Sequence, residues 1–93
     1  SIDKVKEILY EVIEQNSLIM KEPDLPFVGI SSYGDNAVIY ILKVWTLNEN
    51  YWPLVFQLKE EVKKAFDKNS IEIPFPQLDV HIDGKNISYG EGI

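Results

Sequence analysis

One stretch of the chain narrows its possible folds more than any other. Residues 37–46 are rich in β-branched and aromatic side chains, the composition of a strand. Val38, Tyr40, Leu42 and Val44 form one alternating set; Ala37, Ile39, Ile41, Lys43 and Trp45 form the other. Both sets are largely apolar, whereas a strand with one wet face alternates more cleanly. The strand therefore belongs to a sheet whose second face is also covered, by another part of this chain or by a partner. Its longest uninterrupted apolar run, residues 37–42, is six residues, against the about 20 that a spanning helix needs. Nothing in the sequence reads as a bilayer-crossing helix, a signal peptide or a transit peptide.

The flanking pattern supplies the other elements. Residues 27–33 read as a strand, and Gly34-Asp35-Asn36 has the chemistry of a tight hairpin turn into residues 37–46. Upstream, residues 3–15 read as an amphipathic helix with Val5, Ile8, Leu9, Val12 and Ile13 on one stripe. Ser1 or Asp3 is placed to cap it, and Asn16-Ser17 to end it. Pro23 and Pro26 bound a loop. After a break at residues 47–50, with Asn48 or Asn50 as N-cap, helical periodicity resumes from Tyr51 to about Asp67. Val55, Leu58, Val62, Ala65 and Phe66 mark its inner stripe, and Pro53 falls in its first turn, where a missing N–H costs little. Asn69-Ser70 ends it. Pro74 and Pro76 then forbid helix, so residues 71–77 read as extended and polyproline-like. Residues 78–82 read as a short strand. The polar, Gly-containing remainder, 83–93, reads as a flexible C-terminal tail unless Ile87-Ser88-Tyr89 pairs with a strand.

The order α-β-β-α-β is that of an α+β domain over residues 1–82: a ferredoxin-like two-layer sandwich, with a mainly antiparallel sheet and two helices on one face, lacking its first strand. That strand would be central, and the tail or another copy of the chain is expected to fill its place. The chain begins at Ser1 without Met, which reads as a processed chain or a piece of something longer.

Composition excludes several functions. The 93 residues are one domain with no Cys, so disulfides, thiolate catalysis and thiolate zinc sites are absent. All nine cations are Lys; without Arg there is no bidentate fork for phosphate or base edges. This argues against nucleic acid as a partner and against an acyl-phosphate hydrolase. A net charge of −6 repels nucleic-acid backbone and anionic headgroups alike, so no direct membrane contact is expected. Gly34, Gly84, Gly90 and Gly92 form no phosphate-cradling motif, and Ser31, Ser32 and Ser70 have no recognisable His–Asp partners. Asp79, His81 and Asp83 alternate onto one strand face, but a single strand lacks the geometry of a closed metal site, so His81 is expected to be an ordinary strand histidine. No catalytic residue, metal or cofactor is expected. Trp45, Tyr51 and Trp52 bracket the strand-to-helix break, and Pro74, Phe75 and Pro76 form a wedge. In an acidic chain without Arg, both groups are expected to serve core or subunit packing.

Several segments together carry a resemblance. They are Ile2-Asp3-Lys4-Val5-Lys6-Glu7-Ile8-Leu9, Val44-Trp45, Tyr51-Trp52, Lys63-Lys64-Ala65-Phe66, Ile71-Glu72-Ile73-Pro74-Phe75-Pro76-Gln77 and Asp79-Val80-His81-Ile82. Over residues 2–82 the chain resembles the C-terminal cytoplasmic α/β domain of small-conductance mechanosensitive ion channels. The Ile71–Gln77 block is the most specific part. Two positions depart from the family's habit: Ser70 stands where Gly is usual, with Asn69 available for the left-handed cap, and Leu78 stands where a basic residue is common. The resemblance implies a non-enzymatic assembly module of an inner-membrane protein, on the cytoplasmic side. Copies of itself would form a heptameric cage whose side openings pass solute. The channel would open under membrane tension and release ions and small solutes on hypo-osmotic shock, while this domain carries neither pore nor tension sensor. Its negative charge would bias ion traffic through the openings. By itself the chain is expected to be a monomer or weak small oligomer. The rival reading is a small-molecule-sensing regulatory domain of the same fold.

Overall fold

The computed structural model of the chain describes residues 1–33, 37–73 and 78–85. The expected hairpin turn at Gly34-Asp35-Asn36, the Pro74-Phe75-Pro76 wedge and the tail from residue 86 onward lie outside the described residues.

Helix α1 spans Ile2–Gln15. The Ser1 hydroxyl accepts a hydrogen bond from the Lys4 amide at 3.2 Å, satisfying one of the donors that a helix start leaves free. Its buried face is Val5, Ile8, Leu9, Val12 and Ile13, the stripe that the spacing singles out. Strand β1, Phe27–Tyr33, pairs antiparallel with β2, Ala37–Leu47, placing Val28 opposite Leu42 and Ile30 opposite Tyr40. Helix α2, Tyr51–Lys68, then carries the chain back so that β3, Leu78–Lys85, lies parallel to β2. A parallel neighbour requires such a crossover. Leu42 stands beside Val80 and Val44 beside Ile82.

The result is α+β in two layers: a three-stranded mixed sheet in the order β1-β2-β3 with both helices packed on one face. The side of β2 away from β1 is occupied by β3. β3 also continues past Ile82. Asp83, Gly84 and Lys85, expected in the tail, are laddered against Trp45, Thr46 and Leu47.

The core lies between the layers. Leu9, Val28, Leu42, Val44, Leu54 and Leu58 are almost or completely buried. Burying one such side chain is worth roughly 1.5–3 kcal/mol.

Three local expectations need correction. First, α2 faces the core through Leu54, Leu58, Val62 and Phe66; Val55 and Ala65 are only half-buried. Second, Asn50 stands at the N-cap of α2 as expected, but its side chain makes no capping hydrogen bond. A 3-10 turn, Asn48–Asn50, feeds the helix directly, its Asn48 carbonyl accepting from the Tyr51 amide. Third, the left-handed residue at the helix end is Ser70, with φ 59°, while Asn69 has φ −101°. The Ile71 amide donates to the Phe66 carbonyl at 2.8 Å and the Ser70 amide to the Asp67 carbonyl at 3.2 Å. These paired bonds are the Schellman closure, which puts the left-handed conformation on Ser70. Asn69 instead donates its side-chain amide to the Ala65 carbonyl at 2.8 Å.

Candidate interaction surfaces

The alternation of β2 sends Val38, Tyr40, Leu42 and Val44 toward the helices and Ile39, Ile41, Lys43 and Trp45 to the opposite face. No helix of the described residues covers that opposite face. β1 adds Phe27, which is 50% exposed, and β3 adds Asp79, His81 and Asp83. The Phe27 ring lies over the backbone of Gly29, where a Cβ would come within 2.5 Å of it. Met20 extends the face, its amide donating to the Trp45 carbonyl at 2.8 Å. Asp24, Leu25, Phe27, Lys43, Trp45 and Asp83 line a depression of about 360 Å³ here.

A second surface lies on the helix layer. Trp52 and Phe56, 64% and 65% exposed, stand one turn apart on α2 with ring centroids 6.3 Å from each other. Tyr51 meets Trp52 edge-on at 5.2 Å. Lys59 and Lys63 continue the same stripe at helical spacing, and Lys63 pairs with Asp67 at 2.9 Å. Between α2 and β3 runs an apolar groove of about 270 Å³, walled by Tyr51, Trp52, Val55, Leu78, Val80 and Ile82 among others.

The structure therefore divides the aromatic group picked out in the sequence. Tyr51 and Trp52 meet on the helix layer, whereas Trp45 belongs to the outer sheet face.

Sequence reasoning missed two buried polar residues that hold the frame of these surfaces. Asn16 is 6% exposed; its Nδ2 donates to Gln57 Oε1 at 3.0 Å and to Glu61 Oε1 at 2.9 Å, and its Oδ1 accepts from the Leu18 amide at 2.9 Å. Thr46 is fully buried and donates its hydroxyl to the Leu18 carbonyl at 2.7 Å. Together they pin the segment after α1 to both α2 and β2. An Asn at a helix exit was the only available signal, and it does not name its partners.

The chemistry of ionisable groups is sparse. His81 Nε2 lies 3.0 Å from Asp79 Oδ2, both side chains about half-exposed. Asp83 takes its place in the Trp45–Lys43 depression instead. Among the described residues no three His, Cys, Asp or Glu side chains converge as metal ligands. Burial pushes the Tyr40 phenol above its ordinary value. No helix of the described residues is long and apolar enough to cross a membrane.

Comparison with known proteins gives a consistent match. The family model described as "Mechanosensitive ion channel MscS, C-terminal" matches residues 1–73. The chain is 41% identical over 81 residues to an uncharacterised MscS family protein of Synechocystis sp., covering 87% of this chain and 27% of that protein. It is 35% identical over 81 residues to the small-conductance mechanosensitive channel of Edwardsiella ictaluri, covering 87% of this chain and 28% of that protein. To that of Helicobacter pylori it is 32% identical over 89 residues, covering 94% of this chain and 32% of the other. The chain thus spans roughly a third or less of the length of these relatives. No solved structure matches.

Proposed function

This chain belongs to the MscS mechanosensitive channel family, matching its C-terminal domain, and from that premise we propose that it is a cage-forming assembly domain of a tension-gated channel. Copies of it join in a heptamer on the cytoplasmic side of the inner membrane. The whole protein releases ions and small solutes on hypo-osmotic shock, and this domain shapes their path. The family is one of channels and not an enzyme class, and no catalytic group, cofactor or metal is assigned.

The observation that carries the reading is the family match over residues 1–73, joined to the two uncovered apolar surfaces on opposite layers of one small sandwich. A domain that worked alone would bury such surfaces or keep them polar. Trp45, Tyr51 and Trp52 fall on these surfaces, and with Pro74, Phe75 and Pro76 they form the proposed packing motif. The net charge of −6 favours cations near the solute openings of the cage.

A direct test is hypo-osmotic downshock of cells that lack their own tension-gated channels. A channel carrying this chain as its C-terminal domain rescues their survival and gives tension-activated currents in excised patches. Correct insertion without rescue and without current would overturn the reading.

A further inference from the structure

The two exposed apolar surfaces have opposite character. The sheet depression is concave, with Leu25, Phe27 and Trp45 as its apolar wall and exposed Asp24 and Asp83 at its margin; Asp79 is exposed nearby on the same face. Its one lysine, Lys43, shares the depression with two of these acids. The α2 stripe is a convex helical ridge of two aromatic side chains followed by Lys59 and Lys63. One surface is a hole edged by acids; the other is a pair of knobs followed by cations.

Resting on the assembly reading above, the geometry points to head-to-tail contact between copies, with the Trp52–Phe56 ridge of one chain seated in the Leu25–Phe27–Trp45 depression of the next. The occupant is a second copy because charge leaves little choice between its faces. A chain of net charge −6 repels its own copies, and docking needs a local patch of opposite sign. Lys59 brings that sign to Asp83; Lys63 already pairs with Asp67 at 2.9 Å, and Asp79 lies 3.0 Å from His81. Large exposed aromatic side chains entering an apolar depression are the usual energetic centre of such contacts. The ridge lies on the helix layer and the depression on the opposite face of the sheet, so the contact joins two different patches. It cannot close as a two-fold dimer through one shared patch; it propagates, and closes into a ring where the rotation per step permits.

The chain has no Cys, which makes disulfide trapping clean. Leu25 and Phe56 are 71% and 65% exposed, so Leu25→Cys and Phe56→Cys leave the core intact. The double variant under mild oxidation gives a ladder extending beyond dimers, while each single variant gives none. Lys59→Asp or Asp83→Lys alone, in the double-cysteine background, lowers the ladder yield several-fold; the two together restore it. Raising the salt weakens it. A single variant that dimerises as readily as the double, or charge reversals without effect on the yield, would overturn the assignment of faces. Carboxylate–amine cross-linking of the wild-type chain separates the two levels of failure. Cross-linked oligomers without a cysteine ladder overturn the faces and leave assembly standing; absence of oligomers by both routes overturns the faces, while the assembly reading stands or falls by the downshock test.

Discussion

Asn16 Nδ2 donates to Glu61 Oε1 at 2.9 Å, joining the end of α1 to the middle of α2 across 45 residues of sequence. The same carboxamide also holds Gln57 and the Leu18 amide, so three of its hydrogen-bonding positions are used in a buried setting. Asn16→Ala leaves these partners without it and costs about 2–3 kcal/mol in urea denaturation. Glu61→Gln keeps the acceptor oxygen and costs less. Equal losses for the two variants would contradict the network.

The helix end makes an opposite prediction. Ser70 holds φ 59°, a region that costs a non-glycine residue about 1 kcal/mol. Ser70→Gly removes that strain and gives up some unfolded-chain entropy, for a net gain of about 0.5 kcal/mol. Ser70→Val, β-branched in the same place, destabilises. Thermal melts of the two variants shift in opposite directions.

The inward register of α2 is testable by truncation. Leu54 is fully buried and Val55 only half so. Leu54→Ala costs about 2–5 kcal/mol, and Val55→Ala distinctly less. The reverse order would mean that the helix faces the core as the sequence spacing suggests.

Tyr40 supplies a pH dependence. Burial raises its phenol pKa in the folded chain above the ordinary 10.0. The unfolded chain then ionises first as the pH climbs, so the contribution of this group is fully present below pH 10.0 and is lost above it. Lysine deprotonation also acts in this range, and Tyr40→Phe separates the two. Denaturation midpoints measured on either side of pH 10.0 fall more steeply for the wild-type chain than for the variant.

Local signals made parts of this fold readable in advance. The face of α1 follows from a 3.6-residue period that nothing interrupts, and its Ser1 cap is three residues from its donor. The two-sided apolar character of β2 was legible, because alternation is a property of the strand itself, but the cover it predicts for the second face is not supplied by any helix of the described residues. The register of α2 was less accessible, since a 3-10 turn before Tyr51 starts the helix without a side-chain cap. The parallel seat of β3 and the roles of Asn16 and Thr46 depend on partners 28 to 45 residues away, which no local pattern specifies. The surfaces themselves were only half legible. Trp45, Tyr51 and Trp52 are near in sequence, yet the break at Leu47 turns the chain from the outer face of the sheet to the helix layer, so they serve two surfaces instead of one.

Trp45 and Trp52 are the chain's two tryptophans, and they lie on the two surfaces proposed to meet. Acrylamide quenching of Trp52 fluorescence in a Trp45→Phe variant therefore reports contact on the α2 ridge directly. As the concentration rises and light scattering detects oligomers, Trp52 becomes protected and its emission moves to the blue. Oligomers in which Trp52 stays as quenchable as in the monomer would contradict the account.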